Sequence, residues 1–244
     1  MIQTLTILGR GIRYGYGLDW TYVALVLPAF ILSLLAQFAV KNAYNRMAKV
    51  YSSRGYTGAQ AAMAVLRYYN ITDVRIEECA GKLTDHFDPR SKVIRLSEGV
   101  YSANSIAAVG IACHEAGHAA QHANGYAPIA VRNSILPVCK IGSYAGIPLA
   151  CVGYFLGFGI LVDIGLLLYS FIMIFQLVTL PVEFDASRRA IKVIDETGML
   201  ASGDEIAGAK KVLRCAALTY VASLAVTLAN LLRFIIIFTG RRKK

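Results

Sequence analysis

Long apolar segments without charges restrict the fold of this 244-residue chain more than any other feature. The clearest one runs from about Trp20 to Val40 and contains no Asp, Glu, Lys or Arg. About 20 consecutive apolar residues cross the hydrocarbon core of a bilayer as a helix. Trp20 suits one membrane interface, and Lys41 and Arg46 suit the other. The segment predicts a membrane-spanning helix, which we interpret as an uncleaved anchor because no small-residue cleavage site is convincing.

Two later regions are also apolar. Asp163 is the one charged residue of the stretch 141–180, whose length predicts two spans joined by a tight turn near Val162–Asp163. The region from about Ala216 to Phe238 predicts a fourth span, and Arg233 near its end can extend to the interface. The composition agrees, because 56% of the residues are hydrophobic and 16% are charged, against about 25% charged in a typical soluble domain.

The polar stretch 41–140, between the first two predicted spans, is the part of the chain that can build a water-exposed domain. Thr57 and Gln60 form a capping box, which predicts the start of a helix. Alternation and a turn sequence then predict one strand followed by a β-hairpin. These segments are VRIEEC (74–79) and the hairpin arms LTDHF (83–87) and KVIRL (92–96) around DPRS (88–91).

A second helix of this stretch carries a metal-binding pattern. Ser102, Asn104 or Ser105 can cap its start, and Asn124-Gly125 ends it. The helix contains His114-Glu115-Ala116-Gly117-His118, an H-E-x-x-H. Residues four apart lie on one face of a helix, with Cβ atoms about 5–6 Å apart. The imidazoles of this pattern can therefore converge on one Zn²⁺ ion.

Glu115 is the candidate general base of such a site. A bound zinc ion lowers the pKa of its water to about 7. The Glu115 carboxylate is rotated toward the side where that water would lie, so it can accept the proton as the water attacks a peptide carbonyl. A catalytic zinc ion also needs a third protein ligand and an open fourth position.

Three candidates for the third ligand are weak. His122 continues the face of His114 and His118, but it lies about 12 Å along the helix axis from His114, too far to share an ion. His86 lies on the predicted hairpin, where a histidine more often has a structural or substrate-facing role. Asp163 is expected about a bilayer thickness away from a site on the opposite membrane face.

Glu183, in PVEFDASRRA (181–190), is the favoured third ligand. Two antiparallel spans return the chain to the face that it left, so Glu183 is expected at the membrane surface that carries His114. The alternative is an interfacial carboxylate that pairs with Arg188 or Arg189.

Three segments carry a family resemblance: HEAGHA, EFDASRRA after two spans, and the upstream LTDHFDPRSKVIRLS. From about residue 20 to 235 the chain closely resembles the YugP-type bacterial membrane zinc metallopeptidases. In its motifs alone it is more distantly similar to the HtpX and CAAX-prenyl endopeptidase group. The resemblance implies one zinc ion on His114, His118 and Glu183, with Glu115 as the base.

The chain departs from the more distant group at Ser187, where the E-x-x-x-D pattern of that group has Asp. Glu183 and Ser187 share a helix face, whereas Asp185 points elsewhere. Asp185 could supply the carboxylate that supports a zinc ligand instead, so the sequence leaves that role unassigned.

These features predict a mainly α integral membrane protein with about four transmembrane helices and a juxtamembrane zincin-like α+β catalytic domain. The chain divides into five predicted regions. They are 1–40, the N-terminal segment and first transmembrane helix; 41–140, the catalytic domain with the H-E-x-x-H helix; 141–182, a transmembrane hairpin; 183–215, a helical segment carrying the third ligand; and 216–244, the last transmembrane helix and basic tail.

The distribution of positive charge predicts the orientation. The stretches 41–140 and 183–215 carry 12 and 6 of the 25 Lys and Arg residues, and such residues favour the cytoplasmic side. The active site is therefore expected on the cytoplasmic face of the plasma membrane. The basic RRKK tail (241–244) does not fit this orientation, because four spans would place it outside the cytoplasm. Lys and Arg beside the spans also account for the net charge of +10, so no nucleic-acid partner is expected.

The five cysteines are scattered and include no C-x-x-C pair. This pattern argues against a disulfide framework and against a thiolate zinc site. It is typical of a reducing compartment.

The predicted activity is that of a zinc-dependent endopeptidase that cleaves membrane-proximal or unfolded protein segments, with the lipid bilayer as its second partner. The strand KVIRL (92–96) could offer an edge to an extended substrate. One alternative is a site-2-protease-like intramembrane protease with Asp163 as a ligand. Another is a non-enzymatic zinc-bearing membrane scaffold.

Overall fold

The computed structural model describes residues 20–201 and 203–239, with side chains as far as Phe238. The described chain is mainly helical. Its helices are α1 (Tyr22–Met47, π-helical over Tyr22–Val26), α2 (Gly58–Tyr68), α3 (Glu98–Tyr101), α4 (Ile106–Ala123), α5 (Ala127–Leu156), α6 (Gly159–Thr197) and α7 (Asp204–Thr239), and its strands are β1 (Arg75–Cys79), β2 (His86–Asp88) and β3 (Val93–Ser97). The RRKK tail and most of the segment before the first span lie outside the described residues.

Four helices are long and apolar enough to cross a membrane within residues 20–201 and 203–239, namely α1, α5, α6 and α7. They expose large apolar side chains, such as Phe38 on α1 and Phe155 on α5, at 69% and 82% of their surface. Large exposed apolar surfaces mark contact with a membrane or a partner. The prediction of about four spans therefore agrees with the structure, and the helices fit a multi-pass membrane protein.

The turn between the second and third spans lies earlier than predicted. Helix α5 ends at Leu156, and Gly157 adopts a left-handed conformation with φ of 76°. Glycine reaches this conformation without steric cost and commonly ends helices. Helix α6 then begins at Gly159, so Asp163 lies inside its first turns and the predicted turn at Val162–Asp163 is wrong.

Helix α6 continues well beyond its apolar part. It passes through Pro181 without a break and ends at Thr197, followed by Gly198 with φ of 64°. Helix α7 starts at Asp204. The predicted segment 183–215 therefore consists of the end of one long helix and the start of the next, and Glu183 is held on a continuous helix.

The polar stretch 41–140 begins as the sequence predicts. The capping box is confirmed, because the Thr57 side chain accepts from the backbone N–H of Gln60 while the Gln60 side chain accepts from Thr57. The hairpin is also confirmed, since β2 pairs antiparallel with β3. Its first arm is shorter than expected and starts at His86.

The predicted free edge at KVIRL is wrong. The sheet order is β1-β3-β2, and β1 pairs with β3 in parallel from Arg75↔Val93 to Cys79↔Ser97. KVIRL forms β3, which is therefore flanked on both sides. Among the described strands the edges are β1 and β2, and β2 contacts α4.

Helix α4 lies in the core of the polar stretch 41–140. Its cap is Ser105, whose hydroxyl accepts from the backbone N–H of Ala108, and it ends at Asn124. Small residues of α4, such as Ala112 and Ala116, are fully buried in a core that also includes Ile94 of β3 and Ile194 of α6. This packing fixes α4 between the sheet and the membrane helices.

Candidate metal centre

Helix α4 presents two imidazoles on one face, as the spacing of four residues requires. The rings of His114 and His118 lie edge to face with centroids 4.7 Å apart. Both side chains are 15% exposed, so they are shielded from bulk water but accessible from one side.

Helix α6 approaches this face at a glycine. A Cβ atom on Gly117 would lie 2.7 Å from the carbonyl oxygen of Ala186, well inside van der Waals contact. The absence of a side chain at Gly117 therefore allows the two backbones to meet. Glu183, one turn before Ala186, is carried against the two histidines and is only 5% exposed.

The Glu183 carboxylate meets both rings on the same side. Its Oε2 atom lies 3.4 Å from Nε2 of His114 and 3.8 Å from Nε2 of His118. One ligand atom from each of the three residues lies within 4.8 Å of the others. The structure thus brings together the three residues that the sequence predicted as metal ligands.

The other candidate ligands are not part of this group. His86 and His122 line the cavity beside it but do not belong to the group of converging ligand atoms found among the described residues. Asp163 precedes Glu183 by 20 residues on α6, which separates them by about 30 Å along the helix axis. The geometry gives no support to an intramembrane site built on Asp163.

The donor set fits a zinc ion. Two imidazole nitrogens and one carboxylate oxygen are common ligands of catalytic zinc, with bond lengths of about 2.0–2.2 Å. A tetrahedral ion with such bonds sets its ligand atoms roughly 3.4 Å apart. The two Nε2–Oε2 distances of 3.4 and 3.8 Å are close to that spacing.

Gln121 orients the His118 ring. Its Nε2 donates to the carbonyl oxygen of Val182 at 2.8 Å and to Oδ2 of Asp185 at 2.9 Å. Because both amide protons are used, Oε1 is left to accept from Nδ1 of His118 at 3.0 Å. Nε2 of His118 then keeps its lone pair for a metal, as in sites where a hydrogen bond on one ring nitrogen fixes the tautomer.

Ser187 is hydrogen-bonded to the other ring. Its Oγ lies 3.1 Å from Nδ1 of His114. Asp185 accepts from Nε2 of Gln121 and from Nε of Arg189, the latter at 2.6 Å. The structure therefore brings Ser187 to a ligand, and Asp185 acts through Gln121. The ion pair of Arg189 is with Asp185, whereas Glu183 faces the histidines.

The electrostatic field of the site favours a cation. Burial disfavours the charged form of His118, but the Glu183 and Glu115 carboxylates outweigh it and raise the pKa of the imidazole above its ordinary value. The same negative potential stabilises a bound metal cation.

Glu115 lies beside the ligands in a cavity of about 220 Å³. We call this space the polar cavity, since His86, His122, Arg132 and Asn133 form part of its wall. Tyr220 of α7 also lines it, together with Glu115 and Glu183. A side chain that carries a base and one that carries a hydroxyl donor therefore face the space next to the ligand group.

The sequence reasoning missed Gln121, Tyr220 and Asp85. Gln121 lies three residues after His118, so the helical period could have identified it as a neighbour. Asp85 accepts from the backbone N–H and the hydroxyl of Ser97, and it lines the cavity with Glu115. Tyr220 comes from a helix about 100 residues away in sequence, and nothing in the local pattern of α7 distinguishes it.

The fold and the ligand group define a helical membrane protein with a candidate metal site at the end of its spans. Comparison with known proteins agrees. The chain belongs to the family described as "Putative neutral zinc metallopeptidase", whose model matches residues 22–239. It is 43% identical over 221 residues to "Putative membrane protease YugP" of Bacillus subtilis (strain 168), covering 91% of this chain and 98% of that protein. The predicted family is thereby confirmed. No solved structure matches the chain.

Proposed function

We propose that this protein is a zinc-dependent endopeptidase in which His114, His118 and Glu183 hold one Zn²⁺ ion and Glu115 is the general base. The observation that carries the proposal is the convergence of the three ligand atoms within 4.8 Å beside the Glu115 carboxylate. Membership of a zinc metallopeptidase family supports it. The polar stretch 41–140 then acts as a zincin-like catalytic domain on a membrane base.

When bound, the zinc ion would polarise the peptide carbonyl and lower the pKa of the attacking water. Residues of the chain carry out the proton transfers and position the ligands. Glu115 accepts a proton from the water as its oxygen bonds to the carbonyl carbon. It then passes this proton to the amide nitrogen as the C–N bond breaks, which yields an amine and a carboxylic acid; the acid loses its proton to water to give the carboxylate. Gln121 and Ser187 keep the two imidazoles in position throughout.

Tyr220 is proposed to stabilise the charge that develops on the carbonyl oxygen. Its side chain faces the Glu183 carboxylate in the polar cavity, and a phenol can donate one hydrogen bond. A donor that is held in place before the reaction stabilises a developing oxyanion more than water does. The hydroxyl of Tyr220 would thus act on the transition state and not on the metal.

We further propose that the site faces the cytoplasm and acts on membrane-proximal or unfolded segments of proteins. The excess of Lys and Arg in the stretches 41–140 and 183–215 supports this orientation. The ligands lie on α4 and on the extension of α6 beyond its apolar part, which supports a site near the membrane surface. A substrate segment close to the bilayer would reach it without unfolding the spans.

Metal analysis combined with a cleavage assay tests the proposal. The purified protein should contain zinc at a ratio of about one ion per chain. Glu115→Gln should keep the zinc and lose peptide cleavage, because a neutral amide cannot accept the proton. Glu183→Ala should lose the zinc. A folded wild-type protein that binds no zinc, or an active Glu115→Gln variant, would refute the proposal.

A further inference from the structure

A second cavity, of about 170 Å³, adjoins the ligand group. It shares Asp85, His114, Glu115, Glu183 and Tyr220 with the polar cavity, so the two spaces meet at the ligands and the base. The rest of its wall is mostly aliphatic. We call it the apolar cavity and define it by Val40 of α1, Ile111 of α4, and Val212, Leu213, Ala216 and Ala217 of α7.

The two cavities differ in chemistry. The wall that belongs only to the polar cavity includes the ionisable side chains of His86, His122 and Arg132. The wall that belongs only to the apolar cavity contains no Asp, Glu, Lys, Arg or His, and Tyr44 and Ser187 are its polar members. A peptide that crosses the ligand group therefore meets a polar environment on one side and an apolar environment on the other.

The size of the apolar cavity suits one side chain. An apolar cavity of about 150 Å³ holds a benzene-sized molecule, and this one has a volume of about 170 Å³. Two alanines, Ala216 and Ala217, lie in its wall, where any larger residue would reduce the space. Ala217 is buried at 4% exposure, so its methyl group faces the interior.

The position of the apolar cavity indicates where its occupant comes from. Val40 lies near the end of α1, and Ala216 and Ala217 lie where the apolar part of α7 begins. Both helices are candidate membrane spans. The cavity therefore lies between two candidate spans, at the end of the apolar part of each, where a peptide segment next to the bilayer would reach it.

We propose that the apolar cavity is the specificity pocket of the site and receives one large aliphatic side chain from a residue flanking the scissile bond. The proposal rests on the proposed peptidase function, since it names the kind of peptide that the site accepts. Its support is the shared wall: a side chain in the apolar cavity would place the adjoining peptide bond beside His114, Glu115 and Glu183. The favoured substrates are peptides with Leu, Ile or Met at one flanking position.

The test is a cleavage profile of the zinc-loaded full-length protein on a library of peptides that vary at the two positions flanking the cut. Each methylene group in a hydrophobic pocket contributes about 10-fold or more to discrimination. Leu should therefore exceed Ala by at least about tenfold in kcat/KM at one of the two positions. Equal cleavage of Leu and Ala peptides at both positions would overturn the proposal while leaving the peptidase function intact.

Variants of the cavity wall sharpen this test. Ala216→Leu and Ala217→Leu should each fill the cavity and shift the preference from Leu to Ala or Gly, with the zinc content unchanged. Val40→Ala should widen it and favour Phe. Ala225→Leu is the matched control, because Ala225 lies on the same helix and lines neither cavity. If the filling variants keep the wild-type preference, the cavity is not the pocket.

Peptide binding tests the role of the apolar cavity independently of peptide cleavage. In the inactive Glu115→Gln protein, a Leu-containing library peptide should bind at least about tenfold more tightly than its Ala counterpart. Ala217→Leu in the same background should remove this difference. If the wild-type protein cleaves no peptide but this binding preference is present, the peptidase function fails and the pocket stands. If neither cleavage nor a binding preference is found, both fail.

Discussion

Gly117 on α4 lies against Ala186 on α6 so closely that a Cβ atom at position 117 would come within 2.7 Å of the Ala186 carbonyl oxygen. This contact sets the distance between the helix that carries the two histidines and the helix that carries Glu183. In Gly117→Ala the helices have to separate, since backbone atoms cannot yield as a flexible side chain can. We expect zinc affinity to fall at least about tenfold and stability to fall by about 1–3 kcal/mol.

Zinc affinity measured by competition with a chelator checks this prediction. Gly110→Ala is the matched control on the same helix, because its new Cβ would meet the Ala209 Cβ at 3.4 Å, an ordinary contact. Unchanged zinc affinity in Gly117→Ala would show that the close approach is not needed for the site.

Gln121 links the ligand His118 to a buried hydrogen-bond network, so its replacement should weaken zinc binding without removing a ligand. Gln121→Leu removes the acceptor for His118 Nδ1 and the donor to Asp185 and Val182. Loss of such an outer partner typically reduces metal affinity by about 10–100-fold. The measurement is the zinc dissociation constant of the variant, together with its thermal stability in excess zinc. Wild-type affinity in Gln121→Leu would contradict the orienting role.

Ser187 offers a test with two opposite substitutions. Ser187→Ala removes the partner of His114 Nδ1 and should weaken zinc binding by up to about 100-fold. Ser187→Asp should retain or tighten it, because a carboxylate accepts an imidazole N–H more strongly than a hydroxyl does. The measurement is the zinc affinity of both variants, determined by competition with a chelator. A loss of equal size in Ala and Asp would indicate that packing, and not hydrogen bonding, matters at this position.

The membrane helices and the histidine pair could be predicted from the sequence because both depend on short-range patterns. A charge-free run such as 20–40 needs only its own length to cross a bilayer. His114 and His118 need only the helical period to share a face. The prediction of Glu183 as a ligand required one further argument, that two antiparallel spans return the chain to the same membrane face. The structure places it beside the histidines.

The errors arose where the outcome depends on distant parts of the chain or on one backbone conformation. The hairpin pattern alone predicts a free edge at KVIRL, but β1 pairs with it in parallel from a segment that precedes the hairpin. The turn after the second span is set by the left-handed Gly157 and not by the charge at Asp163. Tyr220 could not be identified, because only the packing of α7 against the site brings it to the cavity.

Zinc should reverse the pH dependence of stability. In the metal-free protein the pKa of His118 is raised, by Glu183 and Glu115 against the effect of burial. A raised folded-state pKa contributes stability that is fully present below the unfolded value of about 6.5 and is lost as pH rises through the folded value. Zinc requires the neutral imidazole, so its affinity, and the stability that it adds, increase over the same range.

The metal-free protein should therefore lose His118-dependent stability as the pH rises above about 6.5, while the added stability due to zinc grows. Thermal unfolding of both forms across this range measures the difference. His118→Asn should abolish the divergence, and His86→Gln, outside the ligand group, should preserve it. A zinc-induced stabilisation independent of pH would contradict the prediction.

A substitution at Tyr220 can distinguish an effect on the transition state from an effect on metal binding. If its hydroxyl donates to the developing oxyanion, Tyr220→Phe removes a hydrogen bond that matters during the reaction. Loss of one such donor typically reduces kcat by about 10²–10³. KM for the same peptide should change little, and the zinc content should stay at the wild-type level because Tyr220 is not among the converging ligands.

Steady-state kinetics of Tyr220→Phe on a peptide that the wild type cleaves provides the measurement. Tyr144→Phe is the control, because Tyr144 is 83% exposed on α5 and lines neither cavity. A fall in kcat at constant zinc content assigns the hydroxyl to the chemical step. A fall in zinc content instead would mean that Tyr220 acts by holding Glu183 in place, because the carboxylate it faces is the ligand contributed by α6.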